Sequence, residues 1–229
     1  MAQKVYLHFL LRSHLDHLLI VNFLIKEYTQ GADVAHEVTI LIGVAWNGKP
    51  IAGGVNQPFY KKINETDYLG RVLWGIVGLG AYDLKNGKLN APTKSSDELR
   101  IVTTRSHMTD LVKRSLTAIP NAKLIHCGGA GYKILSVIDG NADCYIYPRN
   151  GTKRWDTCAP EALIRSLNGT LTDVFNNDYD YVKNEKTSVE NYLGIIASMS
   201  QSNEFFVKHL SDELNQNVLA DAEKFKPKL

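Results

Sequence analysis

From Glu37 onward the chain carries apolar residues in runs of strand length, and the first run is the clearest. Val38–Trp46 (VTILIGVAW) is rich in β-branched residues, Asn47-Gly48 supplies a left-handed turn, and Ile51–Val55 resumes the apolar run. Apolar runs on either side of an Asn-Gly pair predict a β-hairpin. Gly70–Tyr82 is a second β-rich stretch, carrying Val72, Leu73, Trp74, Ile76 and Val77. Its glycines, Gly75, Gly78 and Gly80, predict bulges or a backbone that another segment approaches closely. Asp83–Glu98 is polar, contains Asn86-Gly87 and Pro92, and reads as a loop and hairpin leading to a boundary near Leu99.

Past Leu99 the period alternates between strand and helix. Strands are predicted at Arg100–Thr104, Ala122–His126, Ala142–Tyr147, Thr170–Val174 and Tyr192–Ser198. Helices are predicted from Ser106 to about Ala118, over Ala130–Ile138 with Gly140 as its stop, from Asp156 through Leu167, and over Asn203–Leu214. Strands in alternation with helices mean an α/β layered domain. Val5–Ile25 is also apolar, but Arg12, His14, Asp16 and His17 interrupt it and no clean helical stripe emerges. Its longest apolar stretch, Leu18–Ile25, contains Asn22 and is too short to span a bilayer. Arg12 lies inside the run and no small-residue cleavage site follows, which reads against a signal peptide.

Composition narrows this picture a little. At 229 residues, 44% hydrophobic and 22% charged, the chain is long and apolar enough to bury a core. A formal net charge of +2 gives no global sign of a nucleic-acid partner, so any phosphate site must come from local placement. Cys127, Cys144 and Cys158 are odd in number and lack C-x-x-C spacing, which reads as reduced thiols in a cytoplasmic protein.

The candidate chemistry lies at three loop-to-helix junctions: Thr103-Thr104-Arg105-Ser106-His107, Gly128-Gly129-Ala130-Gly131-Tyr132-Lys133, and Trp155-Asp156-Thr157-Cys158-Ala159-Pro160-Glu161. Free N–H groups and the positive dipole end at such junctions attract phosphate. The hydroxyls of Thr104 and Ser106, the His107 ring and the Lys133 ammonium are placed to complete a phosphate cradle. Each junction also has an ordinary reading. Ser106 and Asp156 are common N-cap residues, Pro160 suits a first helical turn, and the glycine spacing fails the dinucleotide fingerprint after Gly131. His126 and Cys127 read as core residues.

Together the junctions resemble a family. WDTCAPEALI at 155–164, followed by NGTLTD at 168–173, is similar to the second signature of the inositol monophosphatase-like, lithium-sensitive phosphatases. With T-T-R-S-H, G-G-A-G-x-K and Lys26-Glu27-Tyr28-Thr29-Gln30-Gly31, the chain resembles the 3'(2'),5'-bisphosphate nucleotidase branch over about Lys26 to Val218. The resemblance implies an αβαβα sugar-phosphatase fold, α/β and α+β layered, with its N-terminal part incomplete. It divides the chain into a non-family segment 1–25, a remnant of an N-terminal α+β domain at 26–98, and a C-terminal α/β domain at 99–229. It implies Mg²⁺-dependent removal of the 3'-phosphate of adenosine 3',5'-bisphosphate, giving AMP and phosphate, with inositol phosphates as weaker substrates. Thr104, His107, Gly129 and Lys133 match nucleotide-contacting positions. Asp156 matches a metal-binding aspartate that also lies beside the nucleotide.

The chain departs from the family at one place that matters. D-P-L-D-G-T should stand immediately before Lys26, and Ile20-Val21-Asn22-Phe23-Leu24-Ile25 stands there instead. Of the family's carboxylate cluster, only Asp156 is matched. Mg²⁺ needs several hard oxygen ligands, and a two-metal site cannot rest on one carboxylate. The residues therefore set beside the hydrolase a catalytically dead, nucleotide-binding form. In the family the segment missing here covers the first sheet, so the apolar faces of Val38–Val55 and Gly70–Tyr82 are expected to lose part of their cover. Residues 1–98 are then expected to be the less stable half, and the domain from about Leu99 the protected unit.

Overall fold

The structure is a computed structural model and describes residues 9–12, 17–23, 32–64, 66–93, 97–106, 108–181, 189–200 and 202–224. A seven-stranded antiparallel sheet comes first, with strands in chain order: β1 (Phe9–Arg12), β2 (His17–Phe23), β3 (Ile40–Trp46), β4 (Lys49–Lys62), β5 (Tyr68–Ile76), β6 (Gly80–Asp83) and β7 (Gly87–Lys88). A 3-10 helix, Ala32–Glu37, enters it. The Asn-Gly hairpin forms as the pattern requires: Asn47 and Gly48 take φ of 46° and 76° between β3 and β4. Gly78 and Gly80, both at positive φ, turn β5 into β6, so the second β-rich stretch is two strands rather than one.

Within the N-terminal apolar run the described residues, Phe9–Arg12 and His17–Phe23, are strand. β2 pairs with β3 from His17↔Trp46 to Phe23↔Ile40, so β3 is no longer an edge. The two faces of this sheet differ in burial. Leu41, Ala45, Val55 and Leu73 face inward and are buried, whereas Ile42, Trp46, Trp74 and Ile76 on the other side are substantially exposed.

The second sheet has the order β11-β12-β10-β8-β9, with β8 (Leu99–Thr104), β9 (Ala122–Cys127) and β10 (Cys144–Tyr147) parallel. β11 (Thr170–Thr172) and β12 (Ile195–Ser198) pair antiparallel to each other, and β12 pairs antiparallel to β10. Side-chain alternation sorts this sheet between two cores. Val102, Tyr145, Tyr147, Ile195 and Ala197 face α2 (Ala130–Ile138) and α3 (Arg154–Ser166), which lie between the sheets. Ile101, Cys144, Ile146 and Ile196 face α1 (Asp110–Thr117), α4 (Glu204–His209) and α5 (Asp212–Glu223). The described residues thus build sheet, helices, sheet, helices: four of the five expected layers.

Several helix ends differ from the sequence expectation. α1 begins at Asp110, capped by the Thr109 hydroxyl, so Ser106 belongs to the loop. α3 begins at Arg154, which makes Asp156 its third residue and carries Pro160 past the first turn. The C-terminal helix is two, separated at Leu210–Ser211, where the Ser211 hydroxyl accepts the Leu214 N–H. α2 matches its expected span, and Gly140, at φ 70°, closes it: Gly140 N–H donates to Val137 and Asn141 N–H to Ser136.

α3 sits on the first sheet through a row of glycines. Gly43, Gly53 and Gly75 pair across β3, β4 and β5, with Ala81 next in line on β6. A Cβ at Gly53 would stand 2.2 Å from the Ala159 carbonyl oxygen, and one at Gly43 2.7 Å from Cys158 Sγ. The missing side chains let the helix backbone descend onto the strands.

Candidate functional site

The parallel pairing of β8, β9 and β10 places their C-terminal ends on one edge of the second sheet, where ligands bind in open α/β sheets. Thr104 ends β8 opposite Cys127, which ends β9. The Thr104 hydroxyl, largely buried, accepts the Ser106 N–H at 3.4 Å. His126 is exposed rather than core, and its Nδ1 lies 3.2 Å from the Thr104 carbonyl. Cys127 is half-buried, and burial pushes its thiol up. His107 lies outside the described residues.

Gly129 precedes α2 at φ 58°, a conformation that glycine adopts without strain. The Lys133 side chain turns back along the first turn of α2: Nζ donates to the Gly129 carbonyl at 3.2 Å and stands 5.5 Å from the Tyr145 ring centre. Lys133 is 5% exposed, so its charge is held in the wall of the site. Tyr145 is fully buried and its phenol is pushed well up, first by burial and then by the charges of Tyr147 and Asp156. Lys133 thus links the Gly129 carbonyl to the Tyr145 ring, and Thr104 ends the strand that pairs with Tyr145's own.

Asp156 is already engaged. Its Oδ2 accepts the Lys153 N–H at 2.8 Å, the reach-back half of a capping box. Lys153 in turn pairs with Glu190 at 3.3 Å and stands over the Trp155 ring.

A buried polar network behind this turn escaped the sequence reading. Glu161 Oε1 accepts Arg165 Nε at 2.7 Å, and its other oxygen accepts the Tyr181 hydroxyl. Tyr181 also meets Thr157 Oγ1 at 3.0 Å, and Asn191 Nδ2 donates to Thr152 Oγ1 at 3.1 Å. Arg154 donates to Asn191 and lies over the Tyr179 ring. Glu161 is 0% exposed, and burial pushes its carboxyl up to about 7 against the pull of Arg165 and Tyr181. The folded value exceeds the ordinary one, so this group's contribution to stability is full below about pH 4.5 and is lost as pH rises through about 7. The wild type should lose on the order of 3 kcal/mol relative to Glu161→Gln across that window. Melts of both proteins at several pH values check this, and parallel profiles would contradict it.

Magnesium, implied by the resemblance, needs several hard oxygen donors at one point. Among the described residues no three His, Cys, Asp or Glu side chains converge to hold a metal ion. Asp156 is the one matched carboxylate, and it caps α3. The described residues do not fit a two-metal centre.

Residues 26–215 match the inositol monophosphatase family, and the chain belongs to that family. It is 36% identical over 195 residues to mouse 3'(2'),5'-bisphosphate nucleotidase 1, covering 85% of this chain and 60% of the relative. It is 40% identical over 175 residues to the human protein of that name, covering 76% of this chain and 54% of the relative. The chain therefore spans about half to three fifths of the length of the curated relatives it matches. Its fold is that of staphylococcal IMPase-II, solved with inositol monophosphate bound: TM-score 0.70, 17% identity, 93% of this chain and 76% of that one. None of the described helices is long and apolar enough to cross a membrane.

Proposed function

We propose that this chain recognises adenosine 3',5'-bisphosphate through the edge formed by β8, β9 and β10, and that its described residues supply the binding part of a phosphoric monoester hydrolase site rather than its metal part. The observation that carries this is Lys133, tethered to the Gly129 carbonyl and set over the Tyr145 ring, with Thr104 ending the adjacent strand. The α2 N-terminus offers N–H groups and dipole to a phosphate, and the Lys133 ammonium lies in the same turn. Thr104 and His107 complete the nucleotide contacts carried over from the relatives. On this reading 99–229 carries the ligand face, 26–98 is the platform on which α3 rests, and within 1–25 the strands β1 and β2 extend the platform's sheet. Inositol phosphates are the weaker ligands. Nucleic acid and membrane are not partners, and the unpaired Cys127, Cys144 and Cys158 support a cytoplasmic setting.

The resemblance attaches a reaction to this ligand: loss of the 3'-phosphate to give AMP and phosphate. Magnesium would supply Lewis-acid stabilisation there, with donors that have to come from beyond the described residues. We expect phosphate release from adenosine 3',5'-bisphosphate to stay at background with saturating Mg²⁺, with or without Li⁺. Robust lithium-sensitive turnover would overturn this and make the chain a hydrolase outright.

A further inference from the structure

We propose that Glu37 is a positioning residue for the nucleotide-binding face: one buried carboxylate fixes the loop after β8 and the glycine loop before α2 together. It ends the 3-10 helix Ala32–Glu37 and is 2% exposed. Oε2 accepts the Gly128 N–H at 2.8 Å, and Oε1 accepts from the Arg105 guanidinium. The Arg105 N–H donates to the Cys127 carbonyl at 3.2 Å, which closes a ring through both loops. The same 3-10 helix is tied to α2 by the edge-on contact of His36 with Tyr132, and to β4 by Gln57 donating to the His36 carbonyl.

The chemistry explains why a carboxylate stands here. Both Glu37 bonds are charge-assisted and stronger than neutral ones, and the carboxylate end of each is buried although Arg105 itself is exposed. Holding the Gly128 N–H fixes the peptide that leads into Gly129, and so the direction in which the first N–H groups of α2 emerge. Arg105 offsets the carboxylate's charge, so an acid beside a phosphate site does not repel its ligand. Glu37 belongs to the first sheet's entry while its partners belong to the second sheet, so it registers the ligand face against its platform.

This inference rests on the nucleotide-binding reading above, and the test separates the two. Hydrogen exchange would be followed without ligand in the full chain, and adenosine 3',5'-bisphosphate titrated calorimetrically, for wild type, Glu37→Ala, Glu37→Gln and Arg105→Ala. In Glu37→Ala the amides of 104–106 and 128–129 should exchange at least about tenfold faster, and the nucleotide should bind about tenfold more weakly, the scale of one lost charged hydrogen bond. Glu37→Gln keeps an acceptor for Gly128 and should retain protection there and lose less affinity. If Glu37→Ala does not fold, Glu37→Gln and Arg105→Ala carry the test: both should loosen 104–106 while Gly128 stays protected. Unchanged exchange in these loops overturns the proposal, as does unchanged affinity in a variant whose loops have loosened. Loosened loops in a chain whose wild type binds no nucleotide would uphold the Glu37 clamp and sink the nucleotide-binding reading alone.

Discussion

Gly53→Ala should destabilise the protein by about 3 kcal/mol or more, the upper range for an overpacked interior, and lower its melting temperature by roughly 5–10 °C for a chain of this size. The new Cβ would stand 2.2 Å from the Ala159 carbonyl oxygen and 2.9 Å from its Cα. Those are backbone atoms of α3, so no rotamer change relieves the clash. The helix must lift, and it is wedged between two sheets, its Leu163 and Ile164 sharing one core with Leu41 and Val55 of the first sheet and Leu171 of the second. The neighbouring Gly54 is the control. Its Cβ would point to the other face of β4, where the nearest atom is the Leu73 carbonyl at 3.9 Å. Gly54→Ala should be neutral or slightly stabilising, since alanine orders the unfolded chain without strain. Thermal melts of the two variants decide the matter, and equal losses would show that α3 does not rest on the glycine row.

The second large effect is expected at Lys133. Lys133→Ala should weaken adenosine 3',5'-bisphosphate binding at least about tenfold and flatten its salt dependence, because a shielded ammonium contributes more to anion binding than an exposed one. The ammonium is tethered to Gly129 and set over Tyr145, so it is held near the α2 N-terminus before any ligand arrives. Truncation also removes packing, so Lys133→Met, which keeps the volume and drops the charge, separates the roles. It should melt close to wild type yet bind as weakly as the alanine variant. Wild-type affinity in Lys133→Met would remove this lysine from the site.

Much of the fold was legible because its signals are local. Asn47-Gly48 specifies its turn through two left-handed residues, and Ala130–Ile138 with Gly140 carries a complete helix and its stop. Where signals compete, boundaries moved. Ser106 and Thr109 are both plausible caps, and Thr109 holds the hydrogen bond. Ser211 breaks a helix that periodicity joins. The N-terminal strands were illegible because β2 owes its form to pairing with β3, across a sequence gap that no window spans.

The candidate site divides the same way. Its junction residues stood out as glycines, hydroxyls and helix entries. Glu37 did not, because its value lies in partners 68 and 91 residues away. Glu161 and its network are likewise assembled by tertiary contact, with Tyr181 and Asn191 arriving from beyond α3. Asp156 stood out as a helix-opening residue, but α3 starts at Arg154, and the hydrogen bond from Lys153 follows from that earlier start.

Calorimetric titration of adenosine 3',5'-bisphosphate into the intact chain, in a chelator and without divalent metal, tests the central claim most directly. Saturable binding that weakens as salt is added is the expected result, because the face is built from Thr104, Gly129, Lys133 and the α2 N-terminus and needs no metal cluster. A folded chain that shows no saturable binding under these conditions would contradict it.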